Sequence, residues 1–232
     1  MVEYAHKSGC CDRVDTTTNA SLLTPDLSDR IIKAGLNRIN ISIEGIDSRQ
    51  YADFSQYKID YDKLVSNIKY FYDNRKQCEM IVKTNGDILT EEQRQKFLRD
   101  FGDITDGIFI ESIMECWPTF KLDKVTVNDT RGIYGQEIKE VTVCPYVFYS
   151  VAINSDGSIS LCFLDWSRKL VIGDARTESL KDVWLGDKMK SWQKLFLQGE
   201  RKNHPVCSNC GQLRQGQPDN IDAFSEDILK RL

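Results

Sequence analysis

Four cysteines in the C-terminal part of the chain have the residue type and the spacing that a metal centre requires. Cys144, Cys162, Cys207 and Cys210 form the pattern C-x17-C-x44-C-x2-C. Four thiolates bind either a structural zinc ion or an iron–sulfur cluster, and the last two lie close enough to share one turn. A third interpretation is that the four are scattered buried thiols, because cysteine is often buried. We predict a metal site, since four thiols in one short segment are stronger evidence than a single C-x2-C.

A β-hairpin is predicted to bring Cys162 into this centre. Residues 154–157 read Asn-Ser-Asp-Gly between two runs that are rich in β-forming residues. Asp-Gly in that position is a strong hairpin signal. If Ile153 pairs with Ser158, then Cys162 lies opposite Tyr149.

Cys144 can join the centre only if the chain bends. It lies five residues before Tyr149, about 16 Å away along an extended strand, and Pro145 is the predicted cause of the bend. His204 lies three residues before Cys207. It is a candidate ligand or a donor that orients one, with an ordinary loop histidine as the alternative.

Composition and charge describe a globular protein and exclude several classes of partner. The 232 residues are 41% hydrophobic and 28% charged, with a net charge of −4, as expected for one large or two small domains. No basic tract stands out, which argues against nucleic acid or a membrane surface as the partner. No apolar stretch approaches the roughly 20 residues of a membrane-spanning helix. Because no signal peptide is visible, the eight cysteines favour a cytoplasmic protein that uses them for metal binding or catalysis.

Strand and helix signals alternate along residues 1–120 and predict an α/β domain with a parallel sheet. Thr24 and Thr90 are predicted N-caps, and Pro25 occupies the first helical position after Thr24. The predicted strands are Arg13–Thr17, Arg38–Ile43, Glu79–Lys83 and Gly107–Glu111, and the predicted helices start at Pro25, Tyr61 and Glu91.

The pattern changes after about residue 120. Residues 121–143 are predicted to form an irregular linker, and residues 144–232 a small cysteine-rich α+β domain. Besides the hairpin, this domain contains predicted helices at Thr177–Trp184 and Asp187–Leu197.

Three stretches resemble the radical S-adenosylmethionine (SAM) enzymes. Thr17–Pro25 (TTNASLLTP) is similar to the segment after the third barrel strand of that family, and Gly35–Gly45 (GLNRINISIEG) to the helix end and fourth strand that follow. The segment Cys144–Cys210, with its Asn-Ser-Asp-Gly turn and its Val183-Trp184 pair, resembles a SPASM domain or its shortened "twitch" form.

The resemblance implies a fold, a function and a set of site residues. The expected fold is a partial radical-SAM-type (β/α) barrel of about four βα units over residues 1–120, followed by a SPASM/twitch domain over residues 144–232. The expected function is that of the C-terminal part of a radical SAM oxidoreductase with one auxiliary [4Fe–4S] cluster on the four cysteines. It would oxidise or modify a small molecule or a peptide. The resemblance further implies SAM contacts at Ser42, Glu44 and Asn85, and a redox partner such as flavodoxin or ferredoxin.

The chain also departs from the family pattern. The C-x3-C-x2-C motif, whose thiolates bind the SAM-cleaving cluster, does not occur, and the adjacent Cys10 and Cys11 have the wrong spacing. We therefore expect the chain to begin inside the barrel and to use SAM only if the N-terminal part is supplied. The alternatives are a non-catalytic four-cysteine module that binds zinc or Fe–S, or one half of a split enzyme. A sheet that begins at the third strand predicts an exposed, fairly apolar edge at Arg13–Thr17.

Overall fold

The computed structural model describes residues 1–117, 127, 130–216 and 218–232. These form two compact units, Met1–Ser112 and Ile113–Leu232. Much of the first half of the predicted linker, residues 121–126 and 128–129, lies outside the described residues. Among the described residues, no helix is long and apolar enough to cross a lipid bilayer.

The first unit contains a four-stranded parallel sheet, which confirms the predicted α/β class. The strands are β1 (Asp15–Thr18), β2 (Arg38–Ile43), β3 (Glu79–Asn85) and β4 (Gly107–Glu111), and they lie side by side in chain order. All three strand pairs are parallel. Helices connect the strands, as crossover connections in a parallel sheet require.

Five helices belong to this unit, and their starts follow local capping chemistry. They are α1 (Val2–Ser8), α2 (Pro25–Lys33), α3 (Ser48–Ser55), α4 (Tyr61–Asn74) and α5 (Glu91–Phe101). The Thr24 side chain accepts the N–H of Leu27, as predicted. Thr90 forms a reciprocal capping box with Gln93, which satisfies backbone donors that have no partner within the helix. Helices α1 and α3 were not predicted from the sequence.

One face of the sheet is apolar and buried, whereas the other is polar. Ile39, Ile41 and Ile43 are each at most 1% exposed, and they share a core with Phe71 of α4 and Phe97 of α5. Full burial of one such side chain stabilises the fold by roughly 1.5–3 kcal/mol.

The polar face carries Asn40 and Ser42 of β2 and Lys83 and Asn85 of β3, all of them half-buried. A parallel sheet covered on both faces normally has near-continuous apolar strands. The alternation seen here therefore presents polar groups along the second face.

Strand β1 forms an edge of the sheet, and its composition differs from the prediction. Within the described residues it pairs only with β2, so the predicted unpaired edge is confirmed. The prediction of an apolar edge is wrong, because β1 reads Asp-Thr-Thr-Thr. Asp15 pairs there with Arg13 at 3.0 Å and with Arg38 at 2.8 Å. Charged side chains at an edge discourage pairing with another chain.

The second unit combines a small antiparallel sheet with short helices. Its strands are β5 (Ala152–Ile153), β6 (Ser158–Ser160) and β7 (Val171–Asp174), paired in that order. Its helices are α6 (Leu180–Leu185), α7 (Asp187–Leu197), α8 (Gln212–Gln215) and α9 (Ser225–Leu229). The helix predicted from Thr177 instead starts at Leu180, because Ser179 caps it by accepting the N–H of Asp182.

The predicted hairpin forms, but with a different register. Ile153 pairs with Ile159 rather than with Ser158. The reason is that the N–H of Asn154 bonds the carbonyl of Ser158, which closes a three-residue loop. Gly157 has a φ of 90° in that loop, as the left-handed position of a three-residue hairpin requires.

Candidate metal centre

The structure brings all four predicted cysteines to one pocket of the second unit. Cys144, Cys162, Cys207 and Cys210 line the same cavity, and none of them forms a disulfide. They arrive on three separate loops. A 3₁₀ turn, Pro145–Phe148, follows the first cysteine, so the chain bends where Pro145 predicted it.

The loop that carries Cys162 is held by a buried carboxylate. Asp165 is only 4% exposed, and its oxygens accept the backbone N–H groups of Lys169 at 2.9 Å and Leu170 at 2.8 Å. Its own N–H donates to the carbonyl of Cys162 at 3.1 Å. The N–H of Leu164 donates to the Cys162 sulfur at 3.4 Å, and such a donor stabilises negative charge on sulfur.

The turn that carries Cys207 and Cys210 is positioned by two side chains. His204 Nδ1 accepts the backbone N–H of Cys207 at 3.3 Å, so this atom orients the turn rather than binding a metal. Burial lowers the pKa of His204, which favours the neutral, accepting form. Arg201 donates from Nη1 to the carbonyl of Cys207 at 2.7 Å and from Nε to the carbonyl of Thr142 at 3.2 Å.

Asp222 holds the segment that leads into Cys144. Its carboxylate accepts the backbone N–H groups of Thr142 at 3.0 Å and Val143 at 2.8 Å.

We expect Asp222→Ala to cost about 1–3 kcal/mol of unfolding free energy, because two backbone donors lose their acceptor. The measurement is urea unfolding of the metal-free protein. Asp227→Ala is the matched control. Its carboxylate forms an exposed ion pair with Lys230, so its loss should change stability by less than about 0.5 kcal/mol. Equal stability of the two variants would contradict this role.

The pocket is mostly apolar and contains two charged groups. Arg201 and Asp165 supply the charges. The apolar lining residues are Val147, Leu161, Leu164, Leu170, Phe196 and Leu213. Burial raises the pKa of the Cys144 thiol to about 11 and the pKa values of Cys162 and Cys207 to about 12. Burial also raises the pKa of Cys210. The thiols are therefore neutral in the metal-free protein, and a metal must displace their protons.

These raised pKa values predict a loss of stability at alkaline pH. The unfolded thiols ionise at about pH 9 and the folded thiols only near pH 11 to 12. The contribution of the protonated thiols to the free energy of unfolding is therefore complete below about pH 9, and it is lost as pH rises toward 12. Each of the thiols of Cys144, Cys162 and Cys207 should contribute a loss of about 1 kcal/mol at about pH 10.

The measurement is urea unfolding of the metal-free chain at about pH 7 and about pH 10. A variant with Cys207→Ala and Cys210→Ala should lose distinctly less stability over that interval, because two of the raised thiols are gone. An identical loss in both proteins would show that other groups cause the effect.

The sulfur atoms are not drawn together as a single ion would require. Among the described residues, no three His, Cys, Asp or Glu side chains meet at a point that could hold one metal ion. A tetrahedral zinc site, with Zn–S distances near 2.3 Å, needs its sulfurs about 3.8 Å apart. The thiols therefore share a pocket but, among the described residues, do not form a ready tetrahedral zinc site.

The residues predicted to contact SAM lie at the carboxyl ends of two neighbouring strands in the first unit. Ser42 is near the end of β2, Glu44 follows that strand, and Asn85 ends β3. Lys83, which the sequence analysis missed, lies opposite Ser42 in the sheet register. Its ammonium forms an ion pair with Glu111 of β4 at 3.0 Å. The alternation of polar residues in β3 was the signal that could have identified Lys83.

Comparison with solved structures identifies the fold. SuiB from Streptococcus suis, bound to S-adenosylmethionine, superposes with a TM-score of 0.53 at 15% identity over 87% of this chain and 53% of that chain. The protein anSMEcpe, with bound AdoMet and a peptide, gives a TM-score of 0.55 at 13% identity over 94% of this chain and 73% of that chain. The chain has the fold of the radical SAM enzymes. At these identities the likeness shows the fold alone.

The cysteine-bearing segment matches a known family. Residues 144–211 match SPASM, described as an iron–sulfur cluster-binding domain. The predicted combination of a radical SAM-type α/β unit with a SPASM domain is thereby confirmed. All four cysteines of the pocket lie inside the matched SPASM residues.

A curated relative shares part of the sequence. The S-adenosyl-L-methionine-dependent 2-deoxy-scyllo-inosamine dehydrogenase of Niallia circulans is 32% identical over 66 residues. The match spans 28% of this chain and 26% of the relative's length.

Proposed function

We propose that Cys144, Cys162, Cys207 and Cys210 of the SPASM domain hold one auxiliary [4Fe–4S] cluster in a radical SAM oxidoreductase. One observation carries this proposal: four free thiols from three loops line one pocket. The match of the same residues to an iron–sulfur cluster-binding family supports it. When bound, such a cluster supplies one-electron transfer.

The chain's own residues prepare the pocket for that group. The four thiols lose their protons to become ligands. Apolar side chains such as Leu161 and Phe196 line the cavity and exclude water from it. The N–H of Leu164 donates to the Cys162 sulfur, and the guanidinium of Arg201 donates to the carbonyl of Cys207. Both donors favour negative charge at the centre.

The carboxyl ends of β2 and β3 are the proposed place of contact with SAM. Functional groups in βα barrels lie at that end of the strands. The side-chain nitrogen of Asn85 is buried without a hydrogen-bond partner among the described residues, so it has a donor to offer. Burial raises the pKa of Glu44, and the charge of Lys83 opposes this rise. Ser42 adds a hydroxyl near the end of β2, two residues before Glu44.

The proposed substrate is a small molecule or a peptide. The dehydrogenase relative is named for the small molecule 2-deoxy-scyllo-inosamine, whereas anSMEcpe was solved with a peptide. An electron carrier such as flavodoxin or ferredoxin is the proposed redox partner, and the cytoplasm is the proposed location.

A second candidate is a non-catalytic metal-binding interaction module, or one half of a split enzyme. The observation that favours it is that the 232 residues contain no C-x3-C-x2-C motif. In that case the four cysteines would hold zinc or an iron–sulfur cluster to stabilise a binding surface.

Anaerobic purification followed by iron, sulfide and zinc analysis and a visible spectrum tests the auxiliary-cluster proposal. About four iron and four sulfide per chain, with the broad visible absorption of a cluster, would support the auxiliary-cluster proposal. One zinc and no sulfide would overturn it and leave the structural module.

A further inference from the structure

The pocket of the four cysteines is flanked by one cation and one anion. Among the described residues that line it, Arg201 is the one cationic side chain and Asp165 the one carboxylate. Neither forms an ion pair with another described residue. The guanidinium of Arg201 bonds backbone carbonyls, and the carboxylate of Asp165 accepts backbone N–H groups and the neutral hydroxyl of Ser167 at 3.4 Å. Their charges are therefore not neutralised by a neighbouring side chain and act on the pocket itself.

Arg201 is held in place by the same backbone that carries the ligands. It lies in the 3₁₀ turn Glu200–Asn203 after α7. Its guanidinium bonds the carbonyl of Cys207 and the carbonyl of Thr142, two residues before Cys144. Because a guanidinium stays protonated at all accessible pH values, this places a permanent positive charge between two of the ligand-bearing loops.

Asp165 is the negatively charged counterpart of Arg201 and lies on the loop that carries Cys162. Its two oxygens accept backbone N–H groups, and the residue is buried. Its N–H bonds the carbonyl of Cys162, so the carboxylate is fixed close to that ligand. Burial of Asp165 weakens screening by solvent, which strengthens the effect of its charge on the centre.

We infer that Arg201 and Asp165 are positioning residues that set the reduction potential of the four-cysteine centre in opposite directions. A thiolate-bound cluster becomes more negative when it accepts an electron, and net charge and hydrogen bonds tune its potential. Arg201 therefore favours the reduced state, and Asp165 favours the oxidised state. This inference rests on the proposed auxiliary cluster.

The test is a redox titration of the anaerobically loaded full chain, monitored by visible absorption and electron paramagnetic resonance. Arg201→Gln should shift the one-electron equilibrium about tenfold toward the oxidised state, equivalent to a potential about 59 mV more negative. Asp165→Asn should shift it in the opposite direction by a similar factor. Arg201→Lys keeps the charge but loses the fork that bonds two carbonyls, so its potential should stay within about threefold of the wild-type equilibrium.

Iron and sulfide content, measured on every variant, separates loss of the cluster from a shift of its potential. Unchanged potentials in fully loaded Arg201→Gln and Asp165→Asn would overturn the inference and leave the proposed function standing. Shifts of equal sign in the two variants would also overturn it. If Arg201→Gln does not retain iron, the other two variants decide. A raised potential in Asp165→Asn together with a near-normal potential in Arg201→Lys would support the inference. Any other pair of potentials would overturn it. A wild-type chain without iron and sulfide would contradict the proposed function itself.

Discussion

Replacing Cys207 and Cys210 together by alanine is expected to remove essentially all iron and sulfide from the protein. Both sulfurs line the pocket that also contains Cys144 and Cys162. Two thiolates are too few to hold a four-iron cluster that is normally bound by four. The visible absorption of the cluster should disappear with the metal, and the metal analysis and the spectrum are read on the same anaerobic sample.

The matched control removes the same number of thiols elsewhere. Cys10 and Cys11 are adjacent and exposed, and they belong to the first unit. Replacing both by alanine should leave about four iron and four sulfide per chain. Circular dichroism should show that both double variants stay folded. Full iron in the Cys207/Cys210 variant, or equal loss in the control, would refute the assignment of the four ligands.

The second large effect concerns SAM itself. When the 232-residue chain is loaded with iron and sulfide and mixed with SAM and dithionite, we expect no 5′-deoxyadenosine above the background of a protein-free mixture. In the family that this chain resembles, the three thiolates of C-x3-C-x2-C bind the cluster that cleaves SAM. That motif is not present among these residues, and a fully thiolate-ligated auxiliary cluster has no open iron for SAM.

Chromatography with mass detection measures the product, and an intact radical SAM enzyme run in parallel shows that the assay works. Release of 5′-deoxyadenosine by this chain would contradict the prediction. If that release vanished when Cys10 and Cys11 were replaced by alanine, these two residues would be assigned to a SAM-cleaving centre that the sequence analysis did not identify.

Local chemistry explains why several elements were predictable. Thr24 and Thr90 cap their helices because a hydroxyl oxygen satisfies nearby backbone donors within the same few residues. Strand β2 was predicted with its observed bounds, Arg38–Ile43, since apolar and polar residues alternate along it. Pro145 was identified as the bend because its ring fixes φ regardless of distant contacts.

Two features were predicted incorrectly, for different reasons. The hairpin register was missed because the bond from Asn154 to Ser158 closes a three-residue loop where the sequence suggested a longer one. The edge strand β1 was expected to be apolar, although its polar residues are readable in the sequence. What the fold adds is the ion pair between Asp15 and Arg38, which lie on different strands. Of these features, the ion pair is the one that depends on residues distant in the sequence.

The sequence by itself determined the residue chemistry of this protein: four thiols in a SPASM-like spacing, a strand–helix alternation that gives a parallel sheet, and the caps that start its helices. Only the tertiary structure decided that the thiols share one pocket, that Lys83 lies opposite Ser42, and that Arg201 and Asp165 flank the cysteines. The physical reason is the distance along the chain over which each kind of interaction acts. Capping and periodicity act within one or two turns of the chain, whereas burial and charge depend on which distant segments the fold brings into contact.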